Sequence, residues 1–259
     1  MHIERFKQGW PAWVELMTSD DAAAMEFYRE LFGWRDVATE IPGGVYHTAH
    51  LDDDAIAGLG VQNPDEVARG IPPHWSVYLA VDDVEATASL VAGAGGQVML
   101  PPMDVMGLGR MAIIADPTGG IVGLWQGQMM PGFARHSEPG SVTWCELMTD
   151  DAPRAAAFFV STLGVQSSET DMGGGHAYIM FGPDGEHMAG IMTKTPEMGP
   201  MPNVWGVYFE VADTDATVAR AQGLGATVLQ PPTDITPGRF AMIADPQGAI
   251  FGIIASNPM

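Results

Sequence analysis

The chain has 259 residues, and 11 Lys and Arg against 32 Asp and Glu give it a formal net charge of −21. So acidic a protein is a poor partner for nucleic acid or an anionic membrane surface. Its single cysteine, Cys145, rules out an internal disulfide and a cysteine-rich metal site, as expected in a reducing cytoplasm. No apolar run approaches a membrane span and the first residues do not resemble a signal peptide, so we expect a cytoplasmic protein without membrane contact.

The first clear element is a strand with two different faces. Residues 13–18 alternate, which places Trp13, Glu15 and Met17 on one side. The segment 20–33 that follows has a capping Asp, apolar residues at helical spacing and a final Gly, and it is expected to pack on the other side as a helix. The face that carries Trp13, Glu15 and Met17 is therefore free for function.

The same unit returns 131 residues later, where Trp144, Glu146 and Met148 take the corresponding places. Residues 75–83 likewise match residues 205–213. The chain is therefore predicted to consist of two homologous halves, each of about 125 residues, a common domain size.

Each half also contains its opening plan twice, so the chain has four units of a strand, a helix and further strands. In the first half, strands are expected at residues 45–51, 55–61, 75–81, 111–115 and 121–126. Segments 101–109 and 231–238 are interpreted as loops that could either cover a pocket or only connect strands.

These motifs resemble a known superfamily. The pattern of a strand, an Asp, Phe27-Tyr28 and Leu31-Phe32-Gly33, together with Val81-Asp82-Asp83-Val84 and Asp116-Pro117-Thr118-Gly119, resembles the vicinal oxygen chelate proteins: glyoxalase I, bleomycin-resistance proteins and extradiol dioxygenases. The likeness extends over nearly the whole chain and is greatest to the tandem-domain bacterial glyoxalase-like branch.

The resemblance implies an α+β fold of four βαβββ modules, paired into two glyoxalase-like domains. Each domain would be a curled mixed sheet around a concave pocket, with its helices outside. The expected boundaries are residues 1–127 and 141–259, joined by a linker at 128–140.

The resemblance also implies where metal ligands would stand. In this chain those positions hold Trp13, Ser76 and Gly123 in the first half and Trp144, Gly206 and Gly252 in the second. A divalent ion does not select these residues, so we expect no metal and no cofactor. A rearranged site remains open because the chain has seven histidines, among them His47, His50, His176 and His187, although no pair shows ligand spacing on one element.

The residues expected to line the two pockets are Trp13, Met17, Ser76, Tyr78, Trp144, Glu146, Met148, Tyr208 and Glu210. The tryptophans could stack on a ligand or only fill space, and the tyrosines could donate to a ligand or only complete a wall. Glu210 has no acidic counterpart in the first half, where Ala80 stands, so the two pockets should differ.

A catalytic pair is predicted from strand register. If the former ligand positions Trp13 and Ser76 face each other, Glu15 lies opposite His74. Glu15 and His74 would then form a proton-transfer dyad, and the second half, with Val204 in place of His74, would lack one. There are two alternatives. Glu15 and His74 could form a purely structural salt bridge, or His74 could merely end the preceding turn.

These features predict a protein that acts on a small organic molecule, apolar or aromatic. The preferred function is a metal-independent lyase, isomerase or hydratase-like enzyme that transfers protons through a pocket carboxylate. The alternative is a non-catalytic binder that sequesters an antibiotic-like or aromatic compound, and a metal-dependent glyoxalase or dioxygenase comes third. Four modules can complete two pockets within one chain, so we expect a monomer.

Overall fold

The computed structural model of the protein describes residues 1–3, 5–41, 44–171 and 177–257. The N-terminal half comprises β1 (Pro11–Thr18), α1 (Asp21–Phe32), β2 (Arg35–Ile41), β3 (Gly44–Leu51), β4 (Asp54–Val61), the short α2 (Pro64–Ala68), β5 (His74–Ala80), α3 (Val84–Val91), β6 (Gln97–Val105), β7 (Gly109–Ala115) and β8 (Ile121–Gly127). The C-terminal half comprises β9 (Val142–Thr149), α4 (Ala152–Leu163), β10 (Gln166–Asp171), β11 (Ala177–Gly182), β12 (Ala189–Thr193), β13 (Val204–Glu210), α5 (Thr214–Gly223), β14 (Thr227–Ile235), β15 (Gly238–Ala244) and β16 (Ile250–Ser256). Among the described residues, no helix has both the length and the apolar character needed to cross a membrane.

Each half builds one mixed sheet of eight strands. The strand orders are β2-β3-β4-β1-β5-β8-β7-β6 and β10-β11-β12-β9-β13-β16-β15-β14, so the second sheet repeats the first. The two modules of a half meet where β1 runs antiparallel to β5, and β9 to β13. The predicted α+β architecture of four βαβββ modules is confirmed, and neither sheet closes on itself.

The first helix shows how the sequence specifies a module. The Asp20 carboxylate accepts a hydrogen bond from the Ala23 backbone N–H at 2.9 Å and so caps α1, while Gly33 ends it in the left-handed region at a φ of 78°. Phe27 and Leu31 are buried on the helix face that packs on the sheet. Local capping and helical spacing therefore act together, as predicted.

The outermost strands are where the sequence interpretation is wrong. Segments 101–109 and 231–238 are not lid loops, because β6 extends to Val105 and β14 to Ile235. Both are edge strands, where a Pro-Pro step is tolerated because one side of the strand needs no hydrogen-bond donors. The register irregularities that β6 and β14 show against their neighbours fall around these prolines.

A buried tyrosine links the two halves. The Tyr28 hydroxyl, on α1, donates to the Asp245 carboxylate of the C-terminal half at 3.1 Å and accepts from Trp75 Nε1 at 3.1 Å. Aromatic rings from both halves surround it, with Trp34 and Phe251 centroids at 5.1 and 5.5 Å. One hydroxyl therefore satisfies an indole N–H and a carboxylate at a junction closed to water.

The equivalent place on the other side of the junction lacks that hydroxyl. Phe159 stands where Tyr28 stands, and its ring lies 5.6 Å from Trp205 at 82°, against 5.5 Å and 84° for Tyr28 and Trp75. Within the described part of the chain, Trp205 Nε1 and the Oδ2 atom of Asp116, the counterpart of Asp245, are buried without a hydrogen-bond partner.

We predict opposite effects for exchanging these two residues. Tyr28→Phe leaves two buried polar groups unpartnered and should lower the free energy of unfolding by about 1–3 kcal/mol, the usual cost of such groups. Phe159→Tyr should raise it, because its hydroxyl reaches toward Trp205 and Asp116. Urea denaturation of both variants tests this, and equal destabilisation by the two would show that the junction has no room for a second hydroxyl.

Candidate functional site

The two faces of β1 carry the chemistry predicted for them. Val14 and Leu16 are fully buried on the helix side of the sheet, whereas Glu15 and Met17 project from the opposite, concave side and are only partly buried. Trp13 shares that concave side and is 3% exposed.

The register between β1 and β5 differs from the prediction. Trp13 pairs with Tyr78, Glu15 with Ser76, and Met17, rather than Glu15, with His74. A shift of two residues keeps every side chain on its predicted face and changes only its partner, because side chains in a strand alternate with a period of two. The predicted direct pairing of Glu15 with His74 is therefore wrong.

His74 makes a different contact. Its Nδ1–H donates to the Pro72 carbonyl oxygen at 3.0 Å, so the imidazole lies against the turn that precedes β5. It still shares the concave face with Glu15, as a diagonal neighbour. Burial raises the pKa of Glu15, and the charge of His74 lowers it by a smaller amount.

The direct partners of Glu15 are tyrosines. The Tyr78 hydroxyl donates to Glu15 Oε2 at 2.9 Å, and the Tyr46 hydroxyl, from β3, lies near enough to the carboxylate to lower its pKa. Trp13 Nε1 donates to the Tyr46 oxygen at 3.0 Å. We call Trp13, Glu15, Tyr46 and Tyr78 the N-terminal cluster.

The C-terminal half repeats this arrangement. Tyr178 and Tyr208 donate to the two oxygens of Glu146 at 2.6 and 3.1 Å, and Trp144 Nε1 donates to the Tyr178 oxygen at 2.7 Å. We call Trp144, Glu146, Tyr178 and Tyr208 the C-terminal cluster. The Tyr78 and Tyr208 bonds to glutamate and the two indole-to-tyrosine bonds recur in both halves of the chain, and this repeated network marks the candidate sites.

The tyrosines pack closely against the sheet because each one lies over a glycine, which has no side chain. A β-carbon at Gly123 would come within 2.0 Å of the Tyr78 ring, and one at Gly58 within 1.8 Å of the Tyr46 hydroxyl. Gly252 under Tyr208 and Gly190 under Tyr178 repeat these contacts at 2.2 and 2.1 Å. Each sheet thus presents an aromatic floor with a carboxylate between two phenol groups.

Burial sets the ionisation of these groups. It raises the pKa of the Glu15 and Glu146 carboxyls above their ordinary value, and the tyrosine hydrogen bonds offset part of that rise. Burial also raises the pKa of the four tyrosines well above the usual range, and the neighbouring carboxylates raise it further. The tyrosines therefore remain neutral donors at any ordinary pH.

The structure brings together some predicted residues and separates others. Met17, Ser76 and Met148 lie on the concave faces near the carboxylates. Glu210 is engaged elsewhere, because its carboxylate accepts from the Ser256 backbone N–H and hydroxyl at 2.9 and 2.7 Å, at the end of β16. The prediction that Glu210 supplies pocket chemistry finds no support in these contacts.

Sequence reasoning missed Tyr46 and Tyr178. The chain has five tyrosines, and four of them belong to the clusters. Tyr46 follows Trp13 by 33 residues and Tyr178 follows Trp144 by 34, so the repeat itself contained the signal.

The implied metal positions do not fit a metal ion. The Tyr78 and Tyr208 rings occupy the space into which a carboxylate at position 123 or 252 would project. Across the described ranges, no three His, Cys, Asp or Glu side chains come together in a way that could hold an ion. His176 lies outside the described residues, and His47 is engaged by Asp36 and Asp21 at 2.9 and 3.1 Å.

Two surface depressions lie away from both clusters. One of about 570 Å³ opens between Asp150 and the segment 194–202, and another of about 290 Å³ lies beside Arg154. Both are shallow and open, and the ion pair of Asp150 with Lys194 at 3.0 Å accounts for the charges of the first. Chemistry rather than cavity size therefore identifies the site.

Comparison with known proteins agrees with this architecture. The family model of the Glyoxalase/Bleomycin resistance protein/Dioxygenase superfamily matches residues 10–122 and again 141–253. The chain therefore belongs to this superfamily, in a tandem form with one match per half.

Among its relatives, the chain is 42% identical over 256 residues to CFP32 of Mycobacterium tuberculosis, which carries a provisional glyoxylase name, covering 98% of this chain and 97% of the other. It is 39% identical over 266 residues to the anthracycline biosynthesis protein DnrV of Streptomyces peucetius, covering 97% and 95%.

Solved structures share the fold at low identity. A Mn(II)-bound glyoxalase from Novosphingobium aromaticivorans aligns with a TM-score of 0.68 at 17% identity, covering 96% of this chain and 82% of the other. The 2,3-dioxygenase LapB from Pseudomonas sp. KL28 aligns with a TM-score of 0.66 at 15% identity, covering 97% and 94%.

We predict that Glu146→Gln stabilises the protein in a pH-dependent way. In the unfolded chain this carboxyl has a pKa of about 4.3. In the folded protein burial raises its pKa, so it ionises only at a higher pH. The parent therefore loses stability as the pH rises through that interval and the Gln variant does not. The variant should be more stable at pH 8, by about 1.4 kcal/mol for each unit of the pKa rise, and equal to the parent at the acid end.

Urea denaturation at pH 8 and pH 4 measures this difference. Glu26→Gln is the matched control, since Glu26 is exposed and Arg29 lowers the pKa of its carboxyl. The control should show no gain at pH 8. A larger gain for Glu146→Gln at pH 4 than at pH 8 would contradict the assignment.

Proposed function

We propose that the protein is a metal-independent lyase or isomerase, which transfers a proton on an apolar or aromatic small molecule at the N-terminal cluster. The observation that carries this proposal is a carboxyl of raised pKa between two neutral phenol donors on the concave face of the sheet. A base beside hydrogen-bond donors is the arrangement that enolisation requires.

The chemistry follows from the contacts of Glu15. A C–H bond next to a substrate carbonyl breaks, the proton passes to the Glu15 carboxylate, and the electron pair moves to the carbonyl oxygen as an enolate. Tyr78, whose hydroxyl donates to Glu15 at 2.9 Å, is released as the carboxylate is neutralised and turns to the enolate oxygen. In a β,γ-unsaturated substrate, return of the proton from Glu15 to the γ-carbon of the enolate moves the double bond into conjugation, which completes an isomerisation without a change of redox state.

Two differences between the halves favour the N-terminal cluster for catalysis. Glu15 is partly exposed on the concave side, whereas Glu146 is only 7% exposed. In the N-terminal half, Thr48 pairs with Gly58 and Gly60 pairs with Tyr46. In the C-terminal half, Met180 and Met192 occupy the positions of Thr48 and Gly60. His74 keeps a supporting role in this proposal, because its charge favours the ionised form of Glu15.

Sequestration of an aromatic compound is the second candidate. Met148, Met180, Met192 and Met242 share the concave face of the C-terminal sheet with Glu146, and methionines adapt to varied apolar ligands. The relative DnrV is named for anthracycline biosynthesis, and the dioxygenase neighbours share the fold, so an aromatic ligand suits both candidates. Each cluster comes from a single chain, so we propose that a monomer is sufficient for binding.

The proposal predicts that the purified protein has no stoichiometric divalent ion. Tyrosine rings and glycines stand where ligands would be needed, so dialysed protein should contain well under one equivalent of Zn, Mn, Ni or Fe. Elemental analysis by mass spectrometry gives the answer. About one ion per half would show that a different ligand set exists and would favour the metal-dependent reading.

A second prediction concerns proton transfer itself. The protein should accelerate hydrogen–deuterium exchange at the α-carbons of 2-tetralone, a small enolisable aromatic ketone, in D2O followed by proton NMR. Glu15→Gln should lower that acceleration by about 10²-fold or more, the typical contribution of a general base, whereas Glu146→Gln retains most of it. No acceleration by the parent, despite binding of the ketone, would favour the sequestration function, and loss in Glu146→Gln alone would move the chemistry to the C-terminal cluster.

A further inference from the structure

The hydrogen-bond donors and acceptors that remain free in each cluster determine which polar groups of a ligand it can bind. Tyr78 donates to Glu15 and Trp13 donates to Tyr46, so these two donors are already used. A carboxylate has about four acceptor positions on its two oxygens, and the tyrosines fill only part of them. The resting cluster therefore presents free acceptor positions on its carboxylate.

Among the described residues, no Lys or Arg side chain compensates these carboxylates, although His74 lies near Glu15. Glu15 is influenced by Tyr46, Tyr78, His74 and Glu66, and Glu146 is influenced by its two tyrosines. Neither set includes a Lys or Arg among the described residues. The chain as a whole has 32 acidic against 11 basic residues, so the surrounding field also favours positive charge.

The tyrosine rings of each cluster also attract a positively charged group. One face of the Tyr78 ring rests on Gly123 and the Tyr46 hydroxyl end rests on Gly58, so the opposite ring faces look away from the sheet. Tyrosine ring faces attract a cation within about 6 Å. A carboxylate flanked by such rings attracts an organic ammonium group through both its charge and the ring faces.

We propose that the clusters recognise the protonated amine of an amphiphilic aromatic ligand. The ammonium N–H groups donate to the free carboxylate acceptors, and the apolar body of the ligand packs on Met17 or on the methionines around Glu146. This inference deepens the second candidate function, sequestration of an aromatic compound, and rests on ligand binding at the clusters, because a Glu15 carboxylate paired with an ammonium group is not free to act as a base. Because the amine is bound by an ionised carboxylate, its binding releases the proton of any carboxyl that is neutral beforehand.

Three matched probes separate charge from shape. They are 1-naphthylmethylammonium, 1-naphthylmethanol and 1-naphthoate, which share one ring system and differ in the polar group. Isothermal titration calorimetry should show the ammonium probe binding at least about tenfold more tightly than the alcohol, a difference of about 1.4 kcal/mol, and the carboxylate most weakly. The ammonium affinity should increase from pH 5 to pH 8, and its proton release should appear as a dependence of the heat on the buffer.

Variants then locate the preference. The double variant Glu15→Gln with Glu146→Gln should lose the preference for the ammonium probe and bind the alcohol within about threefold of the parent. Glu26→Gln, an exposed acidic residue on α1, should leave the preference unchanged. A preference that survives in the double variant would assign it to the overall charge and overturn the inference.

The remaining outcomes are also decisive. If the three probes bind equally, or the carboxylate binds most tightly, the ligand is not an amine, although binding at the clusters stands. If none of the three binds, the proposed function fails as well, because the clusters then do not accept a planar aromatic molecule.

Discussion

A carboxylate withdrawn from water and held by two tyrosine hydroxyls is the interaction around which each concave face is built. Burying a carboxyl is costly unless hydrogen bonds replace its lost water, and Tyr178 and Tyr208 supply them to Glu146 at 2.6 and 3.1 Å. The tyrosines can approach so closely only because Gly190 and Gly252 leave room for them. Glycine, tyrosine and glutamate therefore depend on one another.

The two halves keep this network while diverging around it. The N-terminal face has Thr48 and Gly60 where the C-terminal face has Met180 and Met192. The same contrast occurs at the junction, where Tyr28 satisfies two buried groups and its counterpart Phe159 satisfies neither. Since the networks are retained and their borders are not, we propose that the cluster is the shared site and that its border sets what each half accepts.

The sequence predicted the faces better than the partners. Alternation alone places Trp13, Glu15 and Met17 on the concave side, because it depends only on local period. The same alternation is unchanged by a shift of two residues, so it could not distinguish Ser76 from His74 as the partner of Glu15. Local sequence patterns could not identify Tyr46, because it lies on β3 and β4 separates that strand from β1 in the sheet. The order of strands in a sheet is not encoded in any one segment.

The tyrosine floor also explains why the metal positions of the superfamily cannot be refilled singly. A Glu at position 123 would need the space that the Tyr78 ring occupies, since even a β-carbon there would lie 2.0 Å from the ring. Replacing Tyr78 to make room would remove a hydrogen bond from Glu15 and leave a buried carboxylate less satisfied. Passage between a metal site and this network therefore requires coordinated changes on β1, β5 and β8. That requirement is a stronger obstacle to a metal ion at these positions than the loss of any one ligand would be.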